Sequence, residues 1–112
     1  MTTARDLASG KCKPCGSGTP PLADERAAAL LAALPGWQRE GDAIRRAYAF
    51  KDHYETLAFV NAVAWISHRE DHHPELAVGY DRCVVSYSTH SVGGLSENDF
   101  ICAAKVDALF AS

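Results

Sequence analysis

Asp71-His72-His73-Pro74-Glu75-Leu76-Ala77-Val78-Gly79-Tyr80-Asp81-Arg82-Cys83-Val84-Val85-Ser86-Tyr87-Ser88-Thr89-His90 is the stretch that decides the architecture. Pro74 disfavours helical geometry at the residue before it, so a helix arriving from upstream stops near Asp71 or His72. Beyond the proline, Leu76 to Tyr80 and Cys83 to Ser88 read as two strands joined at Asp81-Arg82. In the second strand Cys83, Val85 and Tyr87 point one way, and Val84, Ser86 and Ser88 the other. A helix that gives way to a hairpin is the repeating theme of the chain.

Working outward, Asp52-His53-Tyr54-Glu55 reads as a capping box opening the long helix that Pro74 closes. Tyr54, Leu57, Ala58, Ala62, Trp65 and Ile66 form its apolar stripe, widened by Phe59 and Val63. The stripe is broader than a surface helix needs, so this helix is expected to pack on a sheet and also on a partner. Upstream, Trp37 to Glu40 and Ala43 to Phe50 read as strands around a Gly41-Asp42 turn. Ile44, Tyr48 and Phe50 share one face with Arg46. Before them, Ala27, Leu30, Leu31 and Leu34 have helical spacing, with Asp24 as the expected cap and Pro35-Gly36 as the stop. Downstream, Ser91 to Leu95 reads as a loop. Ser96-Glu97-Asn98-Asp99 opens a last helix carrying Ile101, Lys105, Ala108 and Leu109. The order α-β-β-α-β-β-α predicts an α+β domain, a four-stranded antiparallel sheet with three helices on one face. Residues 1–21, rich in Gly, Pro, Ser and Thr, are expected to be a flexible N-terminal extension, with the compact domain over 22–112.

The composition narrows the function classes. A net charge of -3 and a pI near 5.9, with the basic residues dispersed, argue against a nucleic-acid polyanion as the main ligand. The longest apolar run, Ala27 to Leu34, has eight residues, far short of a membrane span. No secretory segment is visible at the N-terminus. The four cysteines, Cys12, Cys15, Cys83 and Cys102, suit a reducing cytoplasm. Cys12-Lys13-Pro14-Cys15 has the spacing of a zinc half-site or a redox pair. It lacks a second such pair, and the glycines and prolines around it read as a tail. Cys83 and Cys102 fall in apolar patterns and read as buried small hydrophobes.

The chemistry concentrates in the histidines. Of five, four lie between His68 and His90. Imidazole titrates near neutral pH, at an ordinary pKa of ~6.5, and can both give and take a proton there. The open end of the second hairpin should bring His90 back beside His73, with His72 adjacent and Asp99 at the neighbouring helix start. Each residue alone also has an ordinary reading: an imidazole before a proline as a helix end, Asp99 as part of a cap. His68 and His72, spaced by four, would also fit a metal-binding helix face. A zinc site of His68, His72 and His90 is therefore an alternative. No phosphate loop and no nucleophile elbow are present.

The ordered set His72-His73-Pro74-Glu75, Tyr80, Ser88-Thr89-His90, Gly94-Leu95-Ser96-Glu97 and Asp99 resembles the pterin-4a-carbinolamine dehydratases. Gly36-Trp37 and Phe50-Lys51-Asp52 extend the likeness across Leu22 to Leu109. The tail around Cys12 and Cys15 resembles extensions on some bacterial members. The resemblance implies dehydration of a 4a-hydroxytetrahydropterin to the quinonoid dihydropterin, in pterin recycling, with no metal or organic cofactor. It also implies a homodimer or homotetramer in the cytoplasm. The catalytic histidines fall on His72, His73 and His90 and the supporting acid on Asp99, with His68, Glu75, Ser88 and Thr89 expected to contact the substrate. Losing the 4a-hydroxyl needs a proton on the leaving oxygen and removal of one from the neighbouring ring nitrogen, so two histidines are expected on the hydroxyl side and one on the nitrogen side. Two positions depart from the family pattern: His68, where an acid is common, and Leu76, where an aromatic is common. A catalytically weak member serving as a binding or assembly module is the other alternative.

Overall fold

A computed structural model describes residues 2–16 and 18–110; Met1, Ser17, Ala111 and Ser112, part of the expected extension and domain, lie outside the described residues. The elements are α1 (Ala4–Ala8), α2 (Asp24–Leu31), β1 (Gln38–Glu40), β2 (Ala43–Ala49), α3 (His53–Glu70), β3 (Glu75–Val78), β4 (Arg82–Tyr87), a single 3-10 turn (His90–Val92) and α4 (Glu97–Ala108). The strands form one antiparallel sheet in the order β1-β2-β4-β3. The expected α+β architecture is the observed one, with one short extra helix at the N-terminus. Among the described residues no helix is long and apolar enough to cross a membrane.

Period-2 alternation decides which sheet face meets the helices. Ile44, Tyr48, Cys83, Val85 and Tyr87 are buried, and they share one core with Leu30 of α2, Phe59 and Val63 of α3, and Phe100 and Val106 of α4. Arg46 lies on that same face, where it is paired with Asp107. Its guanidinium donates to Asp107 Oδ1 at 3.1 Å and lies 4.8 Å from the centre of the Tyr48 ring. Gly36 makes room for it, since a Cβ there would sit 2.3 Å from Arg46 Nη1. Asp107 also accepts from Trp37 Nε1 at 3.0 Å and from the Tyr48 hydroxyl. Burial, and then that bond, push the Tyr48 phenol far above its ordinary range.

Two helix ends matter for the site. Asp52 caps α3 by accepting from the Glu55 N–H at 2.8 Å. At the other end Asp71 takes a left-handed conformation, φ 50°, which Asp tolerates better than most residues. This turns the chain sharply, so that His72 comes back toward the start of α4 while Pro74 leads into β3. The expected Asp24 cap is not what starts α2. Ala23 holds the cap position without a side-chain bond, and Asp24 is the first helical residue, where its charge favours the helix dipole.

The N-terminal residues, read from sequence as a flexible extension, include a short helix and a strap. Thr3 and Asp6 form a capping box for α1, and Leu7 is buried against the core. Residues 10–15 continue as a strap along α4. The physical reason lies in α4, whose residues 98–104 are all buried. A helix that is buried on nearly all sides needs a cover on the side away from the sheet, and residues 4–15 supply it. Lys105 Nζ donates to Ala8 O at 2.8 Å, and Cys12 N–H to Glu70 Oε1 at 2.8 Å.

Candidate active site

β3 pairs with β4 in the register Glu75↔Ser86 through Val78↔Cys83. The open end of this hairpin therefore carries His73 on one side and Ser88-Thr89-His90 on the other. A 3-10 turn at His90 and an isolated bridge between Thr89 and Gly94 bend the chain back toward α4. Gly93 takes the left-handed φ of 70° that this bend requires. The result is a cavity of about 230 Å³ at the junction of α3, β3, β4 and the turn, and its lining includes His72, His73, Glu75, Ser88, Thr89 and His90.

His72 is the fixed member. Its side chain is only 12% exposed, and its Nε2 lies 2.7 Å from Asp99 Oδ1. A carboxylate oxygen only accepts, so His72 donates from Nε2 and has Nδ1 left for a ligand. Its ring stacks on Tyr87, with centroids 5.7 Å apart. Asp99 is fully buried and satisfied on both oxygens. Oδ2 accepts from the Thr89 hydroxyl at 2.8 Å and from the Ser96 N–H at 2.9 Å, the latter being half of the capping box that starts α4. Thr89 spends its one proton on Asp99, so Ser96 Oγ, 2.8 Å away, donates to Thr89. One carboxylate thus both caps α4 and holds His72.

His73 and His90 are exposed. His73 Nδ1 has one long contact, 3.5 Å to Pro74 O. The His90 ring makes no side-chain hydrogen bond among the described residues. The cavity thus holds one imidazole fixed by a buried acid and two that are free to turn. That set can hold and move protons at more than one atom of a polar ligand.

The other expected contacts divide. Glu75 and Ser88 line the cavity. Thr89 lines it too, but its hydroxyl is used internally. His68 lies outside the lining; it is on the exposed face of α3, its ring 5.3 Å from that of Trp65. The zinc donor set of His68, His72 and His90 therefore does not assemble, and no metal-holding cluster of His, Cys, Asp or Glu occurs among the described residues. Sequence reasoning missed Tyr87 as the platform for His72, although its place on the inner face beside Val85 was readable. It also missed Ser96 beneath Thr89. Burial pushes the Tyr87 phenol well above its ordinary value. Its hydroxyl has no hydrogen-bond partner among the described residues.

The geometry defines a small α+β domain with a histidine-lined polar cavity. The comparisons give the family. The profile described as pterin 4 alpha carbinolamine dehydratase matches residues 20–109, and the chain belongs to that family. A Nitrosospira multiformis protein provisionally named a pterin-4-alpha-carbinolamine dehydratase is 60% identical over 109 residues, covering 97% of this chain and 96% of its own. One of the same provisional name from Nitrosomonas europaea is 61% identical, with both chains covered in full. Among solved structures, a transcriptional coactivator/pterin dehydratase from Brucella melitensis superposes with a TM-score of 0.77 at 35% identity, over 80% of this chain and 97% of that one. A pterin dehydratase-like protein identified as a RuBisCO assembly factor in the alpha-carboxysome superposes at 0.55 with 27% identity, over 68% and 88%.

Proposed function

We propose that this protein dehydrates a 4a-hydroxytetrahydropterin to the quinonoid dihydropterin by histidine general acid–base catalysis, as a step in pterin recycling. The single observation that carries this reading is the convergence of His72, His73 and His90 on one cavity, with Asp99 behind His72. In the reaction the C4a–O bond breaks and the hydroxyl leaves as water, taking a proton from an acid. A base removes the proton on the neighbouring ring nitrogen, and the C=N bond forms. Two of the three histidines serve the hydroxyl side and one the nitrogen side. Positioned proton transfer of this kind contributes typically ~10²–10⁴-fold. The direct test follows the absorbance change as freshly made 4a-carbinolamine loses water, with and without the protein. Saturable acceleration over the spontaneous reaction is expected, and no acceleration would remove the assignment.

A second reading has one specific support, the likeness to the assembly factor. Under it the cavity binds a ligand or nothing, and the fold serves as a docking module. The same assay separates the two. The proposal includes a cytoplasmic homodimer or homotetramer. Tyr54, Leu57 and Trp65 stand 83%, 42% and 61% exposed on the outer face of α3, the face whose excess apolar width suggested a partner. A second copy presenting the same stripe would cover it.

A further inference from the structure

The chemistry above leaves Cys12-Lys13-Pro14-Cys15 without a role. Its spacing suggests that the two thiols act together, but the fold separates them. Cys15 Sγ faces Lys13 O at 3.7 Å and Asn98 Nδ2 at 3.4 Å. Cys12 Sγ instead lies 3.4 Å from the sulfur of Cys102, which is 90 positions away on α4. The strap is held firmly at this point. Asn98 grips the Lys13 backbone from both sides, donating to its carbonyl at 2.6 Å and accepting from its N–H at 3.0 Å. Together with Glu70, Asp71, His72 and Thr89, the strap walls a second cavity of about 480 Å³. Asp71, His72, Thr89 and Ser91 border both cavities, so the strap ends beside the histidine site.

We propose that Cys12 and Cys102 form a reversible disulfide that fastens the N-terminal strap to α4 next to the histidine cavity. The sulfurs must close from 3.4 Å to the ~2.0 Å of an S–S bond. Accessibility orders the steps. Cys12 is half-buried and can meet an oxidant, while Cys102 is buried. Cys102 therefore attacks second, when the oxidised Cys12 already carries a leaving group. With hydrogen peroxide, the Cys12 sulfur displaces hydroxide from the O–O bond and becomes a sulfenic acid. The hydroxide takes the Cys12 proton and leaves as water. Cys102 sulfur then attacks Cys12 sulfur, the S–O bond breaks, and the departing hydroxide takes the Cys102 proton as a second water. Two thiols and one peroxide give one disulfide and two waters, and an external dithiol reverses the change. In a reducing compartment such a bond is transient and responds to oxidant rather than serving as a permanent staple.

The test treats the full chain with stoichiometric hydrogen peroxide, blocks the remaining thiols, and maps the tryptic peptides. A Cys12–Cys102 crosslink is expected, with a mass about 2 Da lower that dithiothreitol restores. Closing so long a loop should raise Tm by roughly 10 °C. Cys15→Ser should keep both effects and Cys12→Ser should abolish both. Cys12 is the position changed because Cys102 sits in the core, where a substitution could unfold the protein. A Cys12–Cys15 crosslink in the wild type, or sulfinic acid at Cys12 with Cys102 still free, would overturn the proposal. Neither outcome bears on pterin turnover, which is measured separately.

Discussion

On the α4 side of the cavity, His72 is largely buried, stacked on Tyr87 and tied to an acid whose other oxygen is also occupied. On the hairpin side, His73 and His90 stand in solvent with almost no hydrogen bonds of their own. The two sides carry the same side chain under opposite constraints. A buried imidazole needs its polar atoms satisfied, so its orientation is set by the fold. An exposed one exchanges partners with water cheaply and can follow a ligand. The comparison therefore separates residues whose loss unfolds the site from residues whose loss only stops the chemistry.

The largest effect is expected at Asp99. Asp99→Ala leaves His72, Thr89 and the Ser96 N–H facing an empty, dry space. Orphaning buried donors to a charged acceptor costs roughly 3 kcal/mol or more. Urea unfolding measures it directly, and dehydration should fall as His72 loses its orientation. A loss under about 1 kcal/mol would mean that this network is not what holds the α4 side, and the contrast would fail.

On the hairpin side the ratio should invert. His73→Ala or His90→Ala is expected to lower the dehydration rate at least tenfold, ~1.4 kcal/mol in barrier height, with unfolding free energy unchanged within ~0.5 kcal/mol. Wild-type rates in both variants would remove the acid–base assignment. A large stability loss in either would place that histidine with the α4 group instead.

The same contrast explains what the sequence made legible. Both hairpins follow from local alternation and turn residues, and the end of α3 follows from the steric rule at Pro74, so the elements were readable; the register was readable in the first hairpin, whereas the second closes earlier than its Asp81-Arg82 turn implied and pairs Val78 with Cys83. The meeting of the three histidines was readable too, because a hairpin of known strand lengths returns to its start. The network behind His72 was less so. Thr89 looks like any strand-end hydroxyl until α4 swings Asp99 and Ser96 beneath it, and that is a long-range event. The strap was missed for a related reason. Residues 4–15 have weak local signals, and what orders them is the outer side of α4, which no short window reveals.

The smallest effect is expected at His68, and it tests the boundary of the comparison. The family resemblance places His68 with the substrate contacts. In the fold it falls on the opposite side of α3, in the exposed stripe with Leu57 and Trp65. His68→Ala should then leave turnover within about threefold of wild type and stability within ~0.5 kcal/mol, the range for surface positions. Any measurable change should appear in the oligomeric state, read by light scattering, because the stripe is where a second copy would sit. A tenfold loss of turnover that is regained on mixing His68→Ala with His73→Ala, each impaired alone, would mean that a neighbouring copy brings His68 to the cavity. The active site would then be shared between chains, and the exposed face of α3 would belong to the catalytic half of the molecule rather than to its assembly surface.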